Sequence, residues 1–263
     1  SLPIPQPIAP IAEPQSEPIT IEAIFTPTFS IFGERWPPLV ISFVIVAAAI
    51  AFLVSFPTMV ISNIADAGGE VAALGLTLIW VPVLVALACA ACVGLTRVTI
   101  AAAANSRPSP MSQLVPPLSL VVRFFVSVVL VGLVMGAIGI AFAAIMAALA
   151  SVAGNNQIAA LLTAFTAIVL AAALLVAGWL FWAWPFIISD GRGTALGSLK
   201  SAVSLTMNQK LCSALMVLIA IVMTAIGTVV CNVGHIVTGP LTLLMFAVGY
   251  LRMTGQSVEE PKP

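Results

Sequence analysis

Six long apolar runs separated by short polar segments decide what this chain can fold into. They occupy 39–62, 71–96, 123–150, 158–188, 211–231 and 236–251. The hydrocarbon core of a bilayer, about 30 Å thick, is crossed by a helix of about 20 apolar residues. Only 7 % of the residues are charged, against about 25 % in a soluble domain. Too few charges exist to coat a water-facing surface, so the surrounding solvent is expected to be lipid. Hydrocarbon offers backbone groups no partners, and a spanning segment must satisfy them internally. The expected fold is therefore all-α, a polytopic transmembrane helical bundle of six spans. The sixth run has 16 residues and would cover only about 24 Å. Either the membrane thins around it, or 232–240 dips as a turn covered by neighbouring helices.

The basic residues orient this bundle. Arg35 precedes the first run; Arg97, Arg107 and Arg123 lie between the second and third; Arg192, Lys200 and Lys210 lie between the fourth and fifth; Arg252 and Lys262 follow the sixth. The alternate loops, 63–70, 151–157 and 232–235, hold no Lys or Arg and offer Asp66, Glu70 and His235 instead. Lys and Arg are retained on the cytoplasmic side, so both termini are expected inside. No cleavable signal peptide is expected, because residues 1–30 contain neither Lys nor Arg nor a long apolar run.

Three regions follow from this. Residues 1–38 form a Pro-rich segment with nine prolines and the acidic residues Glu13, Glu17, Glu22 and Glu34. Each proline removes a donor and fixes φ, so an extended cytoplasmic arm is expected. Within it Pro3, Pro5, Pro7, Pro10, Ile19 and Ile21 are candidates for binding a protein partner, since polyproline loses little entropy on docking. Residues 39–252 form the transmembrane domain, and 253–263 a short polar tail.

With lipid outside, helices associate by close approach of backbones. Gly132 and Gly136 make a G-x-x-x-G in the third run, followed by Gly139, and Ala86, Ala90 and Gly94 form a comparable stripe in the second. The leading expectation is an internal helix contact; a homodimer through the third run is the alternative. Amphipathic rings and long cations settle at headgroup level, which nominates Trp36, Arg97, Arg123, Trp179, Trp182, Trp184, Lys210, Tyr250 and Arg252 as interfacial anchors. Trp80, ten residues into its run, is expected to pack between helices.

Chemistry is harder to find. No ionisable residue lies near the middle of any run, where transport or bond breaking usually needs one. The hydroxyls of Thr77, Ser127, Thr163, Thr166, Thr224 and Thr228 can bond to their own helices. His235 stands beside Asn232 without Cys, Asp or Glu at ligand spacing, so neither metal nor cofactor is expected. Cys89 and Cys92 form a C-x-x-C deep in an apolar run and read as small packing residues. With zero net charge and no basic cluster, nucleic acid is not an expected partner. Between the fourth and fifth runs, Ala195, Leu196, Leu199, Ala202, Val203, Leu205 and Thr206 recur at helical spacing with Lys200 opposite. This predicts an interfacial amphipathic helix, with Asp190 at its positive end.

The segment 184–209 (WPFIISDGRGTALGSLKSAVSLTMNQ) and the later 234–250 (GHIVTGPLTLLMFAVGY) resemble the bacterial multi-pass family related to the membrane domain of glycerophosphoryl diester phosphodiesterases. The matching positions are Pro185, Asp190, Ala195-Leu196, Leu205-Thr206-Met207-Asn208, Gly234, Pro240 and Tyr250. Where that family usually has Ser four residues before the Thr, this chain has Ala202. The resemblance covers roughly residues 70–252. In that family the hydrolase, where present, is a separate soluble domain, so the resemblance implies a membrane bundle and no catalysis. The expected role is an integral membrane structural or accessory protein, a scaffold or subunit that binds other membrane or cytoplasmic proteins and is itself no enzyme. The alternative is a transporter or channel for lipid-like or small solutes, with Pro57, Pro82 and Pro240 marking moving parts.

Overall fold

A computed structural model describes residues 18–104, 110–153, 156–229 and 234–258. Eight α-helices follow in order: α1 (Glu22–Asp66), α2 (Glu70–Ala103), α3 (Leu118–Ala153), α4 (Asn156–Phe181), α5 (Trp184–Ser189), α6 (Ala195–Asn208), α7 (Lys210–Val229) and α8 (His235–Met253), with a 3₁₀ turn at Pro110–Gln113. No strand occurs among the described residues. Six helical segments are long and apolar enough to cross a membrane, as a membrane-embedded protein requires. Three long hairpins (α1–α2, α3–α4 and α7–α8) are joined through α5 and α6.

Packing is concentrated at one end, the end that carries Arg35, Arg97, Arg123, Arg192, Lys200, Lys210 and Arg252. Among the described residues of α1 beyond Val46, of α3 beyond Ser127 and of α4, no hydrophobic side chain is buried, and before Cys89 in α2 only Ala73 is. At the basic end Ile24, Leu39, Val98, Phe186, Met216, Leu244, Tyr250 and Met253 form one continuous core. Most of the apolar stretch of α8 is buried (61 %), whereas none of that of α3 or α4 is. The short sixth run is thus a central helix, wrapped by α1, α2 and α7. Its helix already begins at His235, so residues 235–240 are not a dipping turn; residues 232 and 233 lie outside the described residues. Pro240 is accommodated inside the helix and buried.

The largest departure from expectation lies in residues 22–38, which are helical, not extended. Ile24, Pro27, Thr28 and Ile31 are buried, and this i, i+3, i+4, i+7 spacing is that of an amphipathic helix. Pro27 removes one backbone bond, and the close packing of this inward stripe against α8 and the rest of the core carries the helix through it. The helix bends at Arg35, whose φ and ψ (−122°, 20°) leave the helical region. Pro37 and Pro38 sit in the first turn after the bend, where a missing N–H costs nothing. Arg35 donates to the Ala102 carbonyl at 2.9 Å, at the end of α2 where carbonyls lack intrahelical partners and cations are favoured.

Contacts along α8 show how the first half of α1 runs. Ile24 lies beside Gly249, and Phe43 closes over Gly239. Phe25 and Phe29 line one small groove with Leu241 and Met245. A straight helix from Ile24 to Phe43 would rise about 28 Å, yet Gly249 and Gly239 are only about 15 Å apart along α8. The first half of α1 therefore crosses the basic end obliquely before the chain turns along the bundle. Residues 1–17, with Pro3, Pro5, Pro7 and Pro10, lie outside the described residues.

Prolines inside the long helices leave carbonyls without donors, and one such carbonyl is satisfied from a neighbour. Pro57 has no N–H for the Leu53 carbonyl, and the Trp80 indole donates to that oxygen at 3.3 Å. Trp80 thus packs between helices as expected, with a defined task. A Trp80→Phe substitution is expected to cost about 0.5–1.5 kcal/mol. In a Pro57→Ala background the restored N–H takes over, and the cost should fall close to zero. Thermal unfolding of the four proteins in detergent checks this; equal costs in both backgrounds would refute the pairing.

Candidate functional site: the Asp190 cluster

The polar side chains that sequence alone scatters along the chain meet at the basic end. The break of α4 at Trp182–Ala183 lets α5 turn inward, so that Phe186, Ile187 and Ile188 enter the core and Asp190 emerges beside the end of α8. Gly191 then takes a positive φ of 78°, a conformation glycine adopts without a Cβ penalty, and the chain reverses into α6.

One oxygen of Asp190 gathers three donors. The Tyr250 hydroxyl donates to Oδ2 at 2.8 Å, the Gln256 side-chain amide at 3.3 Å and the Arg192 Nε at 2.7 Å. Tyr250 is almost wholly buried and its ring packs on Phe186. Beyond α8 the chain folds back: the Gln256 N–H donates to the Leu251 carbonyl at 2.8 Å, and its side chain also donates to the Thr254 hydroxyl at 3.0 Å. Beside Asp190, the hydroxyls of Ser189 and Thr96 are 2.6 Å apart, joining α5 to α2. Ser127 of α3 donates to the Ala195 carbonyl at 3.2 Å and to its own helix at Arg123 at 3.0 Å. The node therefore ties α2, α3, α5, α6 and α8 together.

This arrangement favours fastening over chemistry. Each hydrogen bond to a charged group is worth about 1.5–3 kcal/mol. No Ser, Cys or His stands within hydrogen-bond reach of Asp190 among the described residues, as nucleophilic catalysis would require. No group of three or more His, Cys, Asp or Glu able to hold a metal ion occurs among the described residues. Three hydroxyls singled out by the sequence serve their own helices: Thr77 donates to Ala73, Thr224 to Ala220 and Thr228 to Thr224. His235 opens α8 with its ring 3.2 Å from the Thr228 hydroxyl. Cys89 and Cys212 are buried free thiols and Cys92 is a half-buried one.

Several sequence expectations change here. Asp190 does not start α6; Thr194 does, accepting from the Gly197 N–H at 3.1 Å, because the turn at Gly191 carries Asp190 toward Tyr250. The inward stripe of α6 is Ser198, Ala202, Leu205 and Thr206. Leu196 lies on the opposite, exposed side with Lys200, and α6 packs against α3, α4, α5 and α7. Of the expected anchors, Tyr250 and Trp182 are core residues, Trp182 stacking on Phe246. Trp184 is half-buried against Phe124, with ring centroids 4.9 Å apart, and Trp179 is half-buried as well. Trp36 and Lys210 are exposed, and Arg97, Arg123 and Arg252 are half-buried; Arg97 donates to Gln113.

The small-residue stripes divide. Gly94 is buried against the Leu114 carbonyl with no room for a side chain, whereas Gly132, Gly136 and Gly139 have nothing within 4 Å of where a Cβ would stand. Ala86 is exposed and Ala90 half-buried. The glycines of α3 thus have no side chain or neighbouring helix pressed against them; α3 is held near α2 by Leu120, Phe124, Phe125 and Val128, below the glycines. Ile19 and Ile21 are half-buried against this chain's own core, and the Ile19 N–H donates to the Gln209 side chain at 3.2 Å. Thr254 and Val258 are buried, so the segment after α8 begins as a docked strap and not a polar tail.

Tyr250→Phe is expected to destabilise by about 1.5–3 kcal/mol, and to do so far less once Asp190 is already Asn. Unfolding midpoints of the double-mutant cycle report the coupling; strictly additive costs would remove Asp190 as the node. Comparison with protein-family models, curated proteins and solved structures finds no match.

Proposed function

We propose that this chain is a multi-pass accessory subunit or scaffold whose α3–α4 hairpin packs against helices of another membrane protein. The reading rests on the open glycine face of α3: Gly132, Gly136 and Gly139 have no neighbour in this chain. In lipid such a face gains by close approach of a second backbone, since apolar burial alone is not rewarded there. The fastened basic end is the fixed base from which the hairpin extends. A second copy of this chain is the special case in which the partner is itself. Its basic end faces the cytoplasm, by the retention of Lys and Arg on that side, and the resemblance to a bacterial family points to the inner membrane. The leading segment, residues 1–17, is left with no part in this reading.

The test places a photocrosslinking residue at Leu133, an exposed neighbour of the glycine face, in native membranes. Discrete protein adducts are expected, and Gly136→Leu should abolish them while leaving the unfolding midpoint within about 1 kcal/mol of the parent. An adduct at twice the chain's mass identifies a homodimer. Adducts with lipid alone, unchanged by Gly136→Leu, would overturn the reading. Orientation is checked separately: an impermeant thiol reagent is expected to reach a cysteine at Ser112 only from the cytoplasmic side.

A further inference from the structure

One side of α6 belongs to the core and the other to its surroundings. Ser198, Ala202, Leu205 and Thr206 are buried, while Leu196, Lys200, Ser204 and Met207 are exposed. The outer side thus mixes apolar side chains with a cation, the composition of a helix lying at a lipid–water boundary. At its start α6 meets α3, where the Ser127 hydroxyl donates to the Ala195 carbonyl at 3.2 Å. Arg123 is one turn nearer the basic end on the same side of α3 as Ser127, so it stands at the foot of α6. Neither Arg123 nor Lys200 has an ion pair or a side-chain hydrogen bond among the described residues. Asp190 is spent on Arg192, Tyr250 and Gln256. Glu22 and Glu34 belong to the first half of α1, whose main contacts are α2 and α8.

We infer that Arg123 and Lys200 hold the phosphate of an anionic membrane lipid in the leaflet at the basic end. Charge calls for an anion, and depth decides which. Leu118 opens α3 five residues before Arg123 and is 76 % exposed, and Val115 before it is 84 % exposed. Apolar side chains as open as these belong in lipid, so the bilayer boundary lies beyond them. Arg123 then sits about 7.5 Å inside that boundary along α3, and its long side chain reaches back toward the headgroups. A soluble acidic protein would have to displace lipid to arrive there, whereas a lipid phosphate is already at that level. The guanidinium offers paired planar donors to the phosphate, and the ammonium a point charge. Headgroup charge follows from the same reasoning: a choline would add a further positive charge beside the two cations, and a glycerol headgroup adds none. This inference needs the basic end to lie at a bilayer surface, but not the partner-binding role of α3.

The full chain is given a fluorescent amino acid at Ser204, one turn from Lys200 on the exposed side of α6, or, as a reference, at the exposed Ile168 of α4. It is reconstituted in vesicles of equal parts phosphatidylcholine and phosphatidylglycerol, a small share of one lipid or the other bearing a nitroxide quencher on its acyl chain. At Ser204 the labelled phosphatidylglycerol is expected to quench about fivefold more strongly than the labelled phosphatidylcholine. At Ile168 the two should quench alike. Lys200→Gln and, independently, Arg123→Gln should each lower the preference at Ser204 to about twofold, whereas Lys200→Arg, which keeps the charge, should retain it. Lys200 is exposed, so its variants are expected to keep the parent unfolding midpoint. Equal quenching at Ser204, the same preference at Ile168, or a preference that survives in folded Lys200→Gln would overturn the proposal, as would its loss in Lys200→Arg. The vesicles hold no other protein, so an acidic protein as the true partner would show as equal quenching. Failure of the α3 crosslinks would leave these outcomes unchanged, so the two readings can fail separately.

Discussion

In hydrocarbon, burying an apolar side chain against another gains little over leaving it in lipid, and this asymmetry organises the molecule. Cohesion has to come from places where something other than lipid contact is at stake: helix ends, prolines and polar side chains. Those features gather at the basic end. Arg35 meets an orphan carbonyl of α2, Asp190 collects Tyr250, Arg192 and Gln256, and Ser189 meets Thr96. Toward the far ends of the hairpins, Trp80 reaches Leu53 and His235 stands near Thr228, but no buried core forms there among the described residues. One end is a knot; the other is three hairpins standing in whatever surrounds them.

The all-helical class and the apolar helices were legible because the constraint behind them is crude. A 20-residue apolar run has few alternatives, and composition alone excludes a water-facing coat. The first half of α1 was not legible from proline count, since a proline's effect depends on its place in the helix. Pro37 and Pro38 start a helix rather than stop one, and Pro27 is carried by its neighbours. The signal was present nonetheless: Ile24, Pro27, Thr28 and Ile31 recur at helical spacing, and that period outweighs the residue type.

The Asp190 cluster was legible only as separate letters. Asp190 and Tyr250 were both singled out, one as a helix starter and one as an interfacial ring, yet nothing in the spacing brings residues 60 apart into contact. Gln256, Thr254, Ser189 and Thr96 were missed entirely, because small polar residues at helix ends look alike whether they face water or a neighbour. The fold-back after α8 had one local cue: Gly255, which takes a φ of 69° and follows the common pattern of a glycine just past a helix end. The glycine stripe of α3 failed differently. A G-x-x-x-G states that a close approach is possible on that face; it does not state whose backbone will approach.

Because α8 is buried at the centre, it is the element through which the parts of the molecule communicate. Leu241 and Met245 stand near Phe25 and Phe29, Gly249 receives Met216 and Ile24, and Tyr250 anchors Asp190, all within one 19-residue helix. Packed interiors respond to a displaced element by shifting between discrete arrangements rather than by gradual deformation. Anything that moves α8 by a fraction of a turn must therefore either break the Tyr250 contact or carry the α5–α6 turn along with it. The α3–α4 hairpin is joined to that turn through α5 and packs on α5 and α6 at its base, so the node at Asp190 and the foot of the hairpin are neighbours. On the proposed scaffold reading, a rigid knot with diverging arms serves to hold a partner helix at a fixed angle.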